Sequence, residues 1–249
     1  MKKFYLILVL FFFFLFSNTK EGSAQNDPDA ILSQGTTALN SGSYVEALQL
    51  FDLYMTMVSN NAEAYYKRGT VKFNTKKYRD ALVDFDNAIQ IDTSQSDYFN
   101  LRGQTKKELK QDSEALDDFT KAIMLNPDNP EPYNNRGMIY GDKRVFGNAI
   151  MDFTKALKLR SGYTEAYFNR GAIYMQMENW QKGVDDFTNA IKNNASFAQA
   201  YELRGIANMY LQKYELAVND FEHALALDKS LKEEIQPFLD NSKSNMKKK

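Results

Sequence analysis

Cysteine is absent from this chain, which excludes a disulfide framework and a lipid anchor built on a cysteine. Histidine occurs once, at His223. Metal sites need ligands clustered at set spacings, and a nucleophile needs a base within reach. Neither arrangement can be found around a single histidine in a chain without thiols, so no metal, no cofactor and no catalytic activity is expected. An excess of positive charge is also missing. The 31 Lys and Arg residues face 32 Asp and Glu residues, a net charge of −1, so nucleic acid is not an expected partner. Long apolar runs are scarce as well. Phe4 to Phe16 is thirteen residues long, where a membrane-spanning helix needs about 20.

That short run has its own flanks. Met1-Lys2-Lys3 is basic before it, and Ser17 to Ala24 is polar after it, with small residues at Gly22 and Ala24. These are the three regions of a secretory signal peptide cleaved after Ala24, with retention as an anchor the alternative. The reading places the protein outside the cytoplasm, periplasmic or secreted in a bacterium, with no stable membrane insertion once residues 1–24 are gone. Their removal takes away Lys2, Lys3, Lys20 and Glu21, leaving 28 basic and 31 acidic residues, a net charge of −3. An exported chain without disulfides must be held together by packing.

The rest of the sequence repeats itself every 34 residues. Gly35, Gly69, Gly103, Gly137, Gly171 and Gly205 mark the period without insertion or deletion. With repeats over 28–61, 62–95, 96–129, 130–163, 164–197 and 198–230, position 4 is bulky, from Ile31 to Tyr201. Position 8 is always glycine, and position 20 is alanine except at Gly183. Position 24 is always phenylalanine, from Phe51 to Phe221, and position 27 is alanine from the second copy onward, with Tyr54 in the first. A fixed period of this length signifies a stack of helical hairpins. In an antiparallel pair, position 4 is expected to meet 24 and position 8 to meet 20. Packing at Tyr54 and Gly183 is the least defined.

The copies also predict an ion pair. Position 7 is Arg68, Arg102, Arg136, Arg170 and Arg204, while position 23 is Asp84, Asp118, Asp152, Asp186 and Asp220. The first copy has Gln34 and Leu50. Both partners vanish together, which predicts five bridges inside hairpins; a bridge to the next repeat would strand Asp220. After the sixth copy, Ser230 and Glu233 have the spacing of a capping box. Ile235, Phe238 and Leu239 then fall at core positions of an unfinished seventh repeat. Residues 231–242 are therefore expected to form a closing helix kinked at Pro237, followed by a basic, disordered tail over 243–249. The front end has no such cover, and Ile31, Leu48 and Tyr54 are expected there either to meet a partner or to be less well packed.

The pattern Tyr-x-x-Arg-Gly, then Ala-x-x-x-Phe-x-x-Ala, as in Tyr167, Arg170 and Gly171, then Phe187 and Ala190, resembles the tetratricopeptide repeat family over residues 28–230, with Gly183 and Tyr54 as departures from it. The resemblance implies an all-α, right-handed superhelical solenoid of six antiparallel helix pairs plus a C-terminal capping helix. It also implies a groove lined by positions 2, 5, 6, 9, 12 and 13 of each first helix, and a protein or extended peptide as partner. On that reading the peptide-binding residues are Asn134, Asn135, Met138, Phe168, Asn169, Met175, Ile206 and Met209, with Asn135 and Asn169 as rungs of an asparagine ladder holding peptide backbone. The alternative packs Met138, Met175 and Ile206 between repeats. The chaperone-type grip on a terminal carboxylate is not expected, because no lysine stands at position 5. The implied function is an exported, non-catalytic scaffold; the alternatives are an envelope-complex subunit docked through its convex face or first repeat, or an enzyme accessory subunit.

Overall fold

A computed structural model describes residues 27–247. The expected signal segment, 1–24, lies outside them, as do the last two lysines of the expected tail. The fold is all-α, with thirteen α-helices among the described residues. It divides into two compact units, one ending at Ser94 and one beginning at Gln95. No described helix is long and apolar enough to cross a membrane.

The first unit holds α1 (Pro28–Asn40), α2 (Tyr44–Met57), α3 (Ala62–Asn74) and α4 (Tyr78–Ile91). The second holds α5 (Ser96–Glu108), α6 (Asp112–Leu125), α7 (Pro130–Asp142), α8 (Phe146–Leu159), α9 (Thr164–Gln176), α10 (Trp180–Asn193), α11 (Ala198–Tyr210), α12 (Tyr214–Leu227) and α13 (Lys232–Met246). Every first helix covers repeat positions 1–13 and every second helix positions 17–30. Within each unit, antiparallel pairs follow one another, and each second helix packs on the first helix of the next pair.

The turn inside each hairpin is the same. In the second repeat, Lys76 N–H donates to Phe73 and Lys77 N–H to the carbonyl of Lys72, 2.9 and 2.8 Å. This is the Schellman pattern that satisfies the last carbonyls of a helix, and it needs a left-handed residue at position 15. Lys76, Lys110, Arg144, Glu178 and Gln212 all sit there at φ between 56° and 63°; only the first copy uses glycine, Gly42.

The constant phenylalanine anchors each hairpin. All six are 0–1 % exposed, and each presses on the glycine at position 8. A Cβ added at Gly69 would lie 2.8 Å from Phe85 Cε1, and one at Gly205 2.7 Å from Phe221 Cε1. The glycine is therefore required by the ring. Position 24 also clusters with position 20 and with position 10 of the following repeat, as in Ala115, Phe119 and Ile139 or Ala149, Phe153 and Ile173. Position 4 clusters instead with position 27 and the next repeat's position 3, as Tyr133 does with Ala156 and Ala166. The bulky residue at position 4 thus has a different principal neighbour from the one expected: it sits over the small residue at position 27.

The two irregular places are well packed. Ile31 and Tyr54 are 3 % and 2 % exposed and share a cluster with Ala64. A smaller residue at position 4 is matched by a larger one at position 27, and Asn61 Nδ2 donates to the Tyr54 hydroxyl at 2.7 Å. Neither residue is a bare front face, contrary to expectation. At Gly183 the missing methyl is met by Met175, whose Cγ is 3.2 Å from where a Cβ would stand.

All five bridges form inside hairpins: Arg68–Asp84 2.6 Å, Arg102–Asp118 2.6 Å, Arg136–Asp152 2.8 Å, Arg170–Asp186 2.7 Å and Arg204–Asp220 2.6 Å. Each arginine forks onto both carboxylate oxygens, a geometry only a guanidinium provides. The remaining nitrogen reaches back one repeat, to position 25. Arg68 meets Asp52 at 2.7 Å, while Arg136, Arg170 and Arg204 meet Thr120, Thr154 and Thr188 at 3.1, 2.9 and 3.1 Å.

The closing helix differs from expectation in two respects. Ser230 and Glu233 make no capping box; Asp228 accepts from the N–H and hydroxyl of Ser230 at 2.9 and 2.7 Å, shaping a 3-10 turn before α13. That contact, with the Ser230 hydroxyl as its main cause, holds the Asp228 carboxyl below its usual range. The helix includes Pro237, as expected, but continues past residue 242 to Met246. Residues 243–246 of the expected tail are therefore helical, and Lys243 pairs with Glu222 at 2.8 Å. Ile235 and Leu239 are buried against Phe221 as expected, with Phe238 partly so.

Candidate functional site

In the second unit, α7 and α9 carry Asn134, Asn135, Met138, Phe168 and Asn169 on one face, around a recess of about 500 Å³. Five of the eight expected residues are brought together there. The other three are not. Met175 fills the space over Gly183, while Ile206 and Met209 pack against the cluster closed by α13. Periodicity placed these three on the correct helices but could not show that their apolar ends would be claimed by neighbours.

The asparagines form a ladder of a kind different from the one expected. Asn135 Nδ2 donates to Asn100 Oδ1 at 3.0 Å, and Asn169 Nδ2 to Asn134 Oδ1 at 3.1 Å. Position 6 of one repeat thereby holds position 5 of the repeat before it. Asn100 and Asn134 are each 4 % exposed, so these bonds satisfy amides that could not stay unpaired. Asn134 also turns its Nδ2 toward Met138 Sδ, 3.7 Å away. Asn135 and Asn169 are half-buried, and each has a carbonyl oxygen and a second N–H with no described partner.

Beside the ladder the recess is apolar. The Phe168 ring lies 4.7 Å from that of Phe197 and 5.7 Å from that of Phe187, tilted in both cases. Both tilted arrangements avoid the face-to-face sandwich that aromatic quadrupoles disfavour. The rim is charged. Arg160 pairs with Glu131 at 3.0 Å and lies over the Tyr163 ring, 4.7 Å from its centroid, with Glu165 nearby. Burial, reinforced by Glu131 and opposed by Arg160, pushes the Tyr163 phenol up to about 12, so it remains a neutral donor. Sequence reasoning missed Phe197, Tyr163 and Arg160, which lie in connections between hairpins and just outside the first helices. Their aromatic and cationic character at the repeat junction was the available signal.

Residues 103–143 match the family described as TPR repeat, and residues 130–163 and 198–231 match the family described as tetratricopeptide repeat. Residues 103–163 and 198–231 therefore carry the sequence pattern of tetratricopeptide repeats. Among solved structures, a chain of the APC/C hetero-tetramer Cut9–Hcn1 is similar at a TM-score of 0.76 and 16 % identity, over 87 % of this chain and 43 % of that one. This chain thus spans less than half of that structure's chain. A tetratricopeptide repeat protein from Parabacteroides merdae is similar at 0.66 and 19 % identity, over 89 % and 91 % of the two chains. YrrB, a TPR protein with an unusual peptide-binding site, is similar at 0.58 and 23 % identity, over 72 % and 93 %. At these identities the likeness concerns the fold. No curated protein matches the chain.

Proposed function

We propose that this protein is an exported, non-catalytic scaffold that binds an extended peptide or a protein segment at the α7–α9 recess. The observation that carries the reading is the junction of two chemistries in one recess. Asn135 and Asn169 offer free amide groups to a peptide backbone, and Phe168, Phe197 and Met138 offer an apolar seat for a side chain. The fold supports it, since tetratricopeptide repeats bind proteins or peptides, and YrrB has a peptide-binding site of its own.

The test is selection of random peptides displayed on phage against the full chain. Peptides enriched by the wild type should be lost by at least about tenfold on an Asn135→Ala/Asn169→Ala variant, a difference of about 1.4 kcal/mol. Equal retention by both proteins would remove the site from this recess. Export is tested separately, by sequencing the amino terminus of the protein recovered outside the cytoplasm; a start at Gln25 is expected. A second reading, docking through the second helices, draws on Met124 and Met151, which are 72 % and 71 % exposed. Substituting both with glutamate distinguishes it, because that change should leave peptide selection intact.

A further inference from the structure

A second recess, of about 560 Å³, lies away from the asparagine ladder, among α10, α11 and α12 of the second unit. Its lining includes Arg204, Asn208, Asp220 and His223, with the His223 imidazole stacked on the Tyr201 ring at 5.4 Å. Asn208 is 3 % exposed and is the informative residue. Its Nδ2 donates to Asp220 Oδ2 at 3.1 Å, but its Oδ1 is buried without a hydrogen-bond partner. The amide cannot simply turn over, because that would place its oxygen against the carboxylate. A buried amide oxygen left without a donor has lost its water and gained nothing in return, so it asks for one.

The other repeats show what belongs there. Asn208 stands at position 11, which is Lys72, Lys106, Tyr140 and Tyr174 in the second to fifth copies. Where it is lysine, its ammonium binds the position-23 carboxylate alongside the arginine: Lys72 Nζ is 2.7 Å from Asp84 Oδ2, and Lys106 Nζ 2.7 Å from Asp118 Oδ2. The carboxylates of the second and third repeats therefore carry two cations each from within their own hairpin. Asp220 carries one, Arg204, and a neutral amide in place of the second. Asparagine is also shorter than lysine or tyrosine, so it leaves open the space those side chains would fill.

We infer that this recess takes up a primary ammonium group, held by Asn208 Oδ1 and the Asp220 carboxylate where repeats two and three place a lysine of the chain itself. The group is either the side chain of a lysine in a partner polypeptide or a free small amine. The inference is independent of the peptide recess between α7 and α9. Lys213 at the rim does not supply the group, since its Nζ is bonded to Gln181 Oε1 at 2.9 Å.

The test observes the Asn208 side-chain amide of the full chain by nitrogen-edited NMR during titration with three probes: Nα-acetyl-lysine methylamide, n-butylammonium, and the uncharged Nα-acetyl-norleucine methylamide. Both ammonium compounds should shift that resonance saturably, and norleucine should bind at least about tenfold more weakly. A response to the lysine derivative alone assigns the recess to a polypeptide lysine; comparable responses to both ammonium compounds assign it to the ammonium itself. An equal response to norleucine, or none to any probe, overturns the inference. Asn208→Lys should restore the second cation from within and raise Tm, and because it removes the observed resonance its probe response is read at the Asp220 backbone amide, calibrated on the wild type, where it should be abolished. A folded Asn208→Lys protein with a lowered Tm would overturn the inference as well.

Discussion

The two hairpins of the first unit solve the same packing problem differently. The second, α3 and α4, joins its helices through Arg68 and Asp84, with Asp84 fully buried. The first, α1 and α2, has Gln34 and Leu50 at those places. The difference follows from what the arginine does. Arg68 holds Asp84 with one edge and reaches back to Asp52 of the preceding repeat with the other. Among the described residues no helix precedes the first hairpin, so an arginine there would have no described position-25 partner while its aspartate still required burial. At the far end the same logic appears in reverse. Glu222, at position 25 of the last repeat, has no seventh arginine to meet and is paired with Lys243 of α13 instead.

The largest effect is expected from breaking one bridge without its partner. Arg136→Ala would leave Asp152, 6 % exposed, as an uncompensated buried charge, and should cost about 3–5 kcal/mol in a denaturant titration. Transplanting the first hairpin's pair, Arg136→Gln with Asp152→Leu, should recover most of that loss. The residual cost is about 1 kcal/mol for the lost hydrogen bond to Thr120. A double variant no more stable than Arg136→Ala would show that the bridge does more than neutralise its own carboxylate.

A second contrast between the same hairpins lies in the sizes at positions 4 and 27. Tyr54→Ala should cost about 3–5 kcal/mol by opening a cavity beside Ile31. Adding Ile31→Tyr recreates the Tyr65 and Ala88 arrangement of the second hairpin and should restore a substantial part of it. Thermal melts of the two variants measure the recovery, at roughly 2–4 °C per kcal/mol for a chain of this size.

The last repeat provides a smaller effect, with a pH signature. Glu202 is 5 % exposed, and burial, reinforced by Glu234, raises its carboxyl above the ordinary glutamate range. The folded state therefore holds that proton more tightly than the unfolded chain does. Stability should fall as pH rises from about 4.3, the unperturbed value, through the raised folded value. Glu202→Gln removes the ionisation and should add about 1 kcal/mol at pH 7, with the gain closing as pH falls below the ordinary glutamate range. A gain independent of pH would assign the effect to shape rather than charge.

What could be read in advance follows the same division between contacts inside a hairpin and contacts across repeats. The helix pairs and the five bridges were legible because both partners recur within one 34-residue copy and disappear together in the first. Position 10 was not singled out, although Val71, Ile139, Ile173 and Ala207 are buried there, because its partner is a phenylalanine one repeat earlier. Position 25 did carry a signal, since Asp52, Asp86, Thr120, Thr154, Thr188 and Glu222 all offer an oxygen. Position 11 carried less, because lysine, tyrosine and asparagine share no obvious role until the carboxylate beside them is seen. In the recess, Asn135 and Asn169 were legible as a recurring pair, but not that each would spend a donor on Asn100 or Asn134. Met175, Ile206 and Met209 were misplaced for a related reason: helical phase gives the direction of a side chain but not which neighbour fills the space it points into.

The smallest expected effect concerns the turn between the helices of each hairpin. Gly42 serves the first hairpin, while Glu178 serves the fifth at φ 56°. A residue with a Cβ in that conformation costs roughly 1–2 kcal/mol relative to the right-handed region. Glycine avoids that cost but loses more backbone entropy on folding, about 0.5–1 kcal/mol. The two terms oppose each other, so Glu178→Gly should stabilise by between about 0 and about 1.5 kcal/mol, through the backbone alone. The control is Glu178→Ala, which keeps the Cβ and removes the charge: it should match the wild type within a few tenths of a kcal/mol, the ordinary range for a surface change. If alanine stabilised as much as glycine, the gain would belong to the lost carboxylate, and the left-handed turn would be no more strained in the fifth hairpin than in the first.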